Sequence, residues 1–181
     1  MLLPIISLAV FTKRLRRFRR SQDGSAAVEF AMIAPMFFAL IFAIMETGMV
    51  FLAGQVLETG VQDGARLVYT SQSASAADFK SAICGRVSSL MDCNKLDIDV
   101  RSYDAGTTIT ISDPIDAGGN YVPGGLVYQP PSYPSSKTVV VRGFYQWPLY
   151  VTGLGYNIAN VSRGTSNSKR LLAATAAVGP Q

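Results

Sequence analysis

The 181-residue sequence contains no histidine. That removes the side chain most used as a general base near neutral pH and as a metal ligand. Cysteine is nearly as scarce. Cys84 and Cys93 are too few for a disulfide-built fold, and eight intervening residues with no histidine make a poor zinc spacing. There is no Gly-x-Ser-x-Gly nucleophile elbow, and no Gly-Lys-Ser/Thr follows a glycine-rich stretch. Gly118 to Gly125 is rich in glycine but lacks the lysine, so it reads as a flexible turn rather than a phosphate cradle. Asp92, Asp97, Asp99 and Asp104 gather around one predicted strand, match no EF-hand loop, and read as a solvated face. Asn160-Val161-Ser162 fits a glycosylation sequon, a triplet common enough by chance to carry no argument. No catalytic set, metal or cofactor emerges, and no enzyme activity is expected.

Positive charge is also scarce where a nucleic-acid binder would need it. The net charge is +4, yet residues 1–24 hold six cations against Asp23, a net +5, which leaves −1 on everything after them. A nucleic-acid-binding fold carries its charge on the folded part, so nucleic acid is excluded as a partner. What the chain has in abundance is apolar sequence: 49% of residues are hydrophobic and mean hydropathy is +0.25. That level points to a membrane segment.

Residues 1–12 are apolar but shorter than the about 20 residues that span a bilayer, and read either as an interfacial segment or as upstream sequence. Lys13 to Arg20 packs six cations into eight positions, and before a long apolar run it reads as a cytoplasmic anchor that sets orientation. The apolar run from Ala26 to Ala53 has only Glu29 and Glu46 as charges. At 1.5 Å per residue its roughly 28 residues give about 42 Å, enough to cross a hydrocarbon core of about 30 Å with tilt. Pro35 predicts a kink. Small residues recur at helical spacing in Ala27/Ala31, Ala39/Ala43 and Gly60/Gly64, a pattern that lets helices approach closely in lipid, but only the first two pairs lie within the apolar run and alanine is common enough for chance to supply them. Val56, Leu57, Val61, Ala65 and Val68 continue the helical spacing to Tyr69.

After a small polar linker at Ser71 to Ser75, Ser75 is a predicted N-cap with Asp78 as a partial capping box. Phe79, Ile83, Val87 and Leu90 share a face, which predicts a second helix over 76–91. The period then becomes two. Strands are predicted over 96–100, over 107–112 after the Asp104-Ala105-Gly106 turn, and over 138–146, with 113–136 as a loop. Arg170 to Val178 fits either a strand or a short helix. If this part lies outside the cytoplasm, a Cys84–Cys93 disulfide is the natural reading, with two free core thiols as the alternative.

Gly24-Ser-Ala-Ala-Val-Glu29-Phe30 after a basic leader resembles the processing site of type IV pilin-like proteins. The resemblance implies cleavage between Gly24 and Ser25 by a membrane-embedded prepilin peptidase, leaving Glu29 at the fifth position of the new chain. From Gly24 to Arg66 the sequence is more similar to the TadE-like proteins of the tight-adherence (Flp) pilus machinery, on Gly24, Val28-Glu29-Phe30-Ala31, Pro35, Glu46-Thr-Gly48 and Gly64-Ala65-Arg66. The Cys pair and Tyr145-Gln-Trp-Pro148 also fit the family's outer region. What this implies is an α+β, pilin-like fold: a cleaved leader at 1–24, a transmembrane spine helix at 25–70, and an extracytoplasmic domain at 71–181 with a small antiparallel sheet and a second short helix. The implied function is that of a minor pilin or pseudopilin, single-pass in a bacterial inner membrane with its outer domain periplasmic. Its implied partners are the peptidase, other pilins and pseudopilins, and the inner-membrane Tad assembly proteins.

A carboxylate at depth in lipid costs about 2.5–3.5 kcal/mol on insertion scales. A neighbouring subunit's terminal amine would offset this at Glu29, which would set helix register in an assembly; hydration at the cytoplasmic interface is the plainer account. Glu46, roughly 26 Å further along the axis, falls near the outer interface, where hydration and a polar contact with a partner helix are both open. Two other functions compete. One is a pseudopilin of a type II secretion system. The other is an uncleaved, signal-anchored envelope protein binding a ligand or polymer through Tyr121, Tyr128 and Tyr133.

Overall fold

The structure, a computed structural model, describes residues 24–70, 75–104, 106–131 and 137–179. Residues 1–23 of the leader, the linker at 71–74 and Tyr133 lie outside the described residues. The elements are α1 (Ser25–Tyr69), α2 (Ala76–Val87), β1 (Leu96–Tyr103), β2 (Thr138–Pro148) and β3 (Lys169–Val178). The fold class is α+β: a long apolar helix, a second short one, and a three-stranded antiparallel sheet in the order β1-β2-β3.

Helix α1 continues through Pro35. The chain forms two compact units, one ending at Phe42 and the other running from Ala43 to Gln181. In the first, the large apolar side chains Phe30, Met32, Ile33, Met36 and Leu40 are all exposed.

In the second unit, Ala53, Leu57, Val61, Ala65 and Val68 form a buried stripe at spacings of three and four. They pack with Phe79, Ile83 and Val87 of α2 and with Leu96, Val100, Val139, Val141 and Tyr145 of the sheet. Three glycines set how closely these layers approach. A Cβ on Gly64 would stand 2.8 Å from the Phe79 ring, one on Gly60 3.0 Å from Val87, and one on Gly143 2.6 Å from Val61. Gly60 and Gly64 therefore seat the chain's own second helix.

Helix α2 is shorter than the predicted 76–91. It begins as expected, with the Asp78 N–H donating to Ser75 Oγ at 3.1 Å and the Ser75 hydroxyl donating to the Asp78 carboxylate at 2.7 Å. It ends at Val87 because the chain turns there, with Leu90 N–H and Met91 N–H both donating to Val87 O. The turn leads to Cys93, which is disulfide-bonded to Cys84 across a Cα–Cα distance of 5.7 Å.

The strand predicted over 107–112 does not form. Gly106, at φ +79°, makes the expected turn, closed by Thr107 N–H donating to Asp104 O at 3.1 Å. Beyond it, Ile109 and Ile111 stay exposed and no ladder forms. The outer edge of β1 is taken instead by a later segment, where Val100 N–H donates to Val127 O and Gln129 N–H to Val100 O. Lys169 to Val178 adopts the strand alternative. The start of the free edge of β3 is met by Val161 and by the Asn160 side chain, whose Oδ1 accepts from Leu171 N–H at 2.6 Å. The sequon asparagine thus has a structural task.

Candidate functional site

The sequence-predicted processing residues stand together at the start of α1. Gly24 precedes the helix and is exposed, Ser25 is its first residue, and Glu29 and Phe30 follow within two turns, both exposed. No acidic residue lies in the first turn, so Glu29 is the first carboxylate of the helix. The second acid of the run is in a different setting. Glu46 is only 8% exposed, and Oε1 accepts hydrogen bonds from the backbone N–H groups of Tyr150 and Val151, the latter at 3.1 Å. Those donors open the short 3-10 turn Val151–Leu154, whose first N–H groups have no partner within the turn and suit a carboxylate. Oε2 of Glu46 is buried without a hydrogen-bond partner among the described residues. One residue on, the Thr47 and Tyr156 hydroxyls lie 3.1 Å apart. The arrangement fastens the segment after β2 to the helix at Glu46 and Thr47.

Of the four acids around β1, Asp92 and Asp104 are exposed as expected, but Asp97 and Asp99 are not, and for these two the expectation of a solvated face is corrected. Asp99 is 1% exposed and its Oδ2 accepts from Arg142 Nη2 at 2.6 Å and Arg101 Nε at 3.1 Å, while Oδ1 accepts from Val127 N–H at 2.8 Å. Burial alone would raise the Asp99 pKa, but the Val127 N–H and the two guanidinium groups outweigh it and hold the carboxyl below its ordinary 3.8. Asp97 accepts from the Tyr121 hydroxyl at 2.9 Å; burial and that carboxylate push the phenol well above its usual range. The cause is the 113–128 segment, which folds over the sheet face opposite the helices. There Ile115, Tyr121 and Leu126 pack on a second core of Phe144, Val161 and Leu171. Tyr128 faces the first core, its ring 5.9 Å from that of Phe79. Both described tyrosines of the loop are therefore held by packing. An open cavity of about 320 Å³ lies between Asp113, Asp116 and Arg142, but Arg142 already serves Asp99 and the Ser112 carbonyl.

Comparison with known proteins bears on the helix. Residues 24–66 match the family model described as TadE-like protein. The match begins at the glycine before α1 and closes at Arg66 in its last turn, so it takes in Glu29, Pro35, Glu46 and the glycines that seat α2. No curated protein and no solved structure matches the chain. The TadE-like segment is thus one helix, long and apolar enough to cross a membrane, which fits a single-pass anchor. Similarity to this family points to an association with a membrane and with components of the Tad pilus. The donors that receive Glu46, more than a hundred residues downstream, left no mark in the sequence pattern.

Proposed function

We propose that the protein is a minor pilin, or pseudopilin, that assists assembly of a Flp-type pilus after a prepilin peptidase cuts between Gly24 and Ser25. The observation that carries the reading is the extent of the family match, which starts at Gly24 itself and follows the helix to its last turn. Support comes from the basic leader, six cations immediately upstream of an apolar helix with a carboxylate five positions after the glycine. The size of the second compact unit, Ala43 to Gln181, favours a minor subunit over a major one that is little more than a helix. The chain's work in this reading is structural: priming, capping or regulating assembly, with the N-terminus cytoplasmic and the sheet on the periplasmic side of the inner membrane.

Intact-mass spectrometry of the membrane-extracted protein tests it. The expected mature chain begins at Ser25 and disappears when Gly24 is substituted or the peptidase is deleted. A full-length N-terminus in cells with normal peptidase levels sinks the proposal.

A further inference from the structure

If α1 crosses a bilayer, the segment after β2 is fastened near the level at which the hydrocarbon core would end. Starting the hydrocarbon core at Ala26, its about 20 helical residues and about 30 Å end at Met45; starting it at Phe30 moves that end to Met49. Glu46 and Thr47, where the segment is fastened, lie between those limits. On the helix surface left uncovered, Met49, Phe51 and Leu52 are exposed, so the open face of the helix is still apolar at this level. The segment itself presents Tyr150, 82% exposed, and Tyr156, 41% exposed. Tyrosine concentrates where bilayer meets water because its ring is apolar and its hydroxyl is not.

The charge of the segment fits the same neighbour. From Leu149 to Arg170 the chain carries Arg163, Lys169 and Arg170 and no acid, and no acid occurs anywhere after Asp116. Pairing of Trp147 with Arg170 and of Pro148 with Lys169 puts two of these cations at the end of the sheet from which the segment leaves. Among the described residues, none of the three cations is in an ion pair. The local carboxylate, Glu46, is turned inward onto backbone N–H groups and does not neutralise them.

We infer that Leu149 to Tyr156 is an interfacial foot. It seats the second unit on the phospholipid headgroups of the same membrane that α1 crosses, with Tyr150 and Tyr156 at headgroup depth and Lys169 and Arg170 toward the phosphates. The inference rests on α1 crossing the bilayer and is independent of any pilus. Glu46 acts as the clamp. By holding the Tyr150 and Val151 N–H groups it fixes the height of the foot on the helix, so the domain stands on the surface at a set level.

Lipid-borne quenchers read this depth directly. The full chain is reconstituted in phosphatidylethanolamine–phosphatidylglycerol bilayers, with Trp147→Phe as background because Trp147 is the single tryptophan. Tyr150→Trp then reports on the foot and Phe38→Trp on the span. A headgroup nitroxide is expected to quench the foot reporter more strongly than a mid-chain nitroxide, with the order reversed for the span reporter. If the span reporter is quenched by lipid and the foot reporter only by aqueous iodide, the foot is wrong and the anchor stands. If neither responds to lipid, the anchor reading fails and the foot with it. Because Trp147→Phe touches the core, hydroxyl-radical footprinting of the unaltered chain in the same bilayers gives a second measure. Tyr150 is expected to oxidise several-fold more slowly than a free tyrosine amide. Protection that persists in detergent-free bilayers without any lipid quenching would mean a protein contact and would overturn the inference.

Discussion

At the scale of single residues, Asp99 shows how a polar residue read as surface becomes a structural centre. Leu96, Ile98 and Val100 alternate with Asp97 and Asp99, and alternation alone assigns the acids to water. What the pattern lacks is any sign that residues 113–128 return over that face, because the return is a matter of contacts between distant positions. The partner was nevertheless visible: Arg142 stands in the middle of a run of Val and Phe, where an unpaired cation has no place. With side-chain exposures of 1% for Asp99 and 5% for Arg142, loss of one partner leaves a buried charge. Asp99→Asn is expected to cost about 3–5 kcal/mol, whereas a joint change to apolar residues of similar volume should cost much less. The pH dependence has a definite sign. The carboxyl pKa is lowered in the fold, so the unfolded chain takes the proton first. Stability from this group is complete above the ordinary 3.8 and is lost as pH falls through the lower folded value. Denaturation midpoints of the detergent-solubilised chain, taken from about pH 5 downward, should fall steeply for the parent and less for Asp99→Asn. Equal slopes would show that Asp99 does not carry the acid sensitivity.

At the scale of elements, the helices were legible because their information is local. The stripe Leu57, Val61, Ala65, Val68 and the Ser75 cap are written in a few consecutive turns, and each element starts where the pattern says. The strand predicted over 107–112 shows the opposite case. Its alternation is as clean as that of β1, but a strand needs an edge, and Val127 to Gln129 holds the one edge within reach. Loop segments meet the sheet edges only locally, at Val100 of β1 and at Lys169 and Leu171 of β3. The glycines of α1 give a paired prediction. A methyl on Gly54 would meet nothing within 4 Å, whereas one on Gly64 would press on Phe79 at 2.8 Å and Ile83 at 2.9 Å. Gly54→Ala is therefore expected to stabilise by up to about 1 kcal/mol through helix propensity alone. Gly64→Ala gains the same propensity but overpacks the α1–α2 contact, with a cost of about 1–3 kcal/mol. Thermal melts of the two variants should move in opposite directions. A rise in both would mean that α2 yields freely and that the glycine is not what seats it.

At the scale of the whole molecule, the proposed function makes the N-terminal boundary of α1 the place where state changes. In that proposal a net +5 over residues 1–24 would hold the uncut chain to the cytoplasmic leaflet; cleavage would remove those charges and give Ser25 a new amine. Glu29 would then sit about one helical turn from that amine in its own chain, and within reach of one on a neighbour whose helix is staggered by a similar amount. This candidate could be proposed from sequence alone because glycine, carboxylate and leader lie within one short stretch. The clamp at Glu46 was not, since its donors come from Tyr150 and Val151 and are backbone groups with no residue signature. The two acids of α1 thus predict different phenotypes. Glu46→Gln keeps an acceptor for the two N–H groups and should leave both processing and assembly near normal. If the proposed peptidase acts beside Gly24, Glu29→Ala should be cut there almost as well as the parent, yet should fail to support pilus assembly. Intact mass reports the first property, and sheared-pilus yield from cells expressing the variant as sole copy reports the second. Normal piliation by Glu29→Ala would end the idea that a carboxylate–amine pair sets helix register, even with cleavage at Gly24 confirmed.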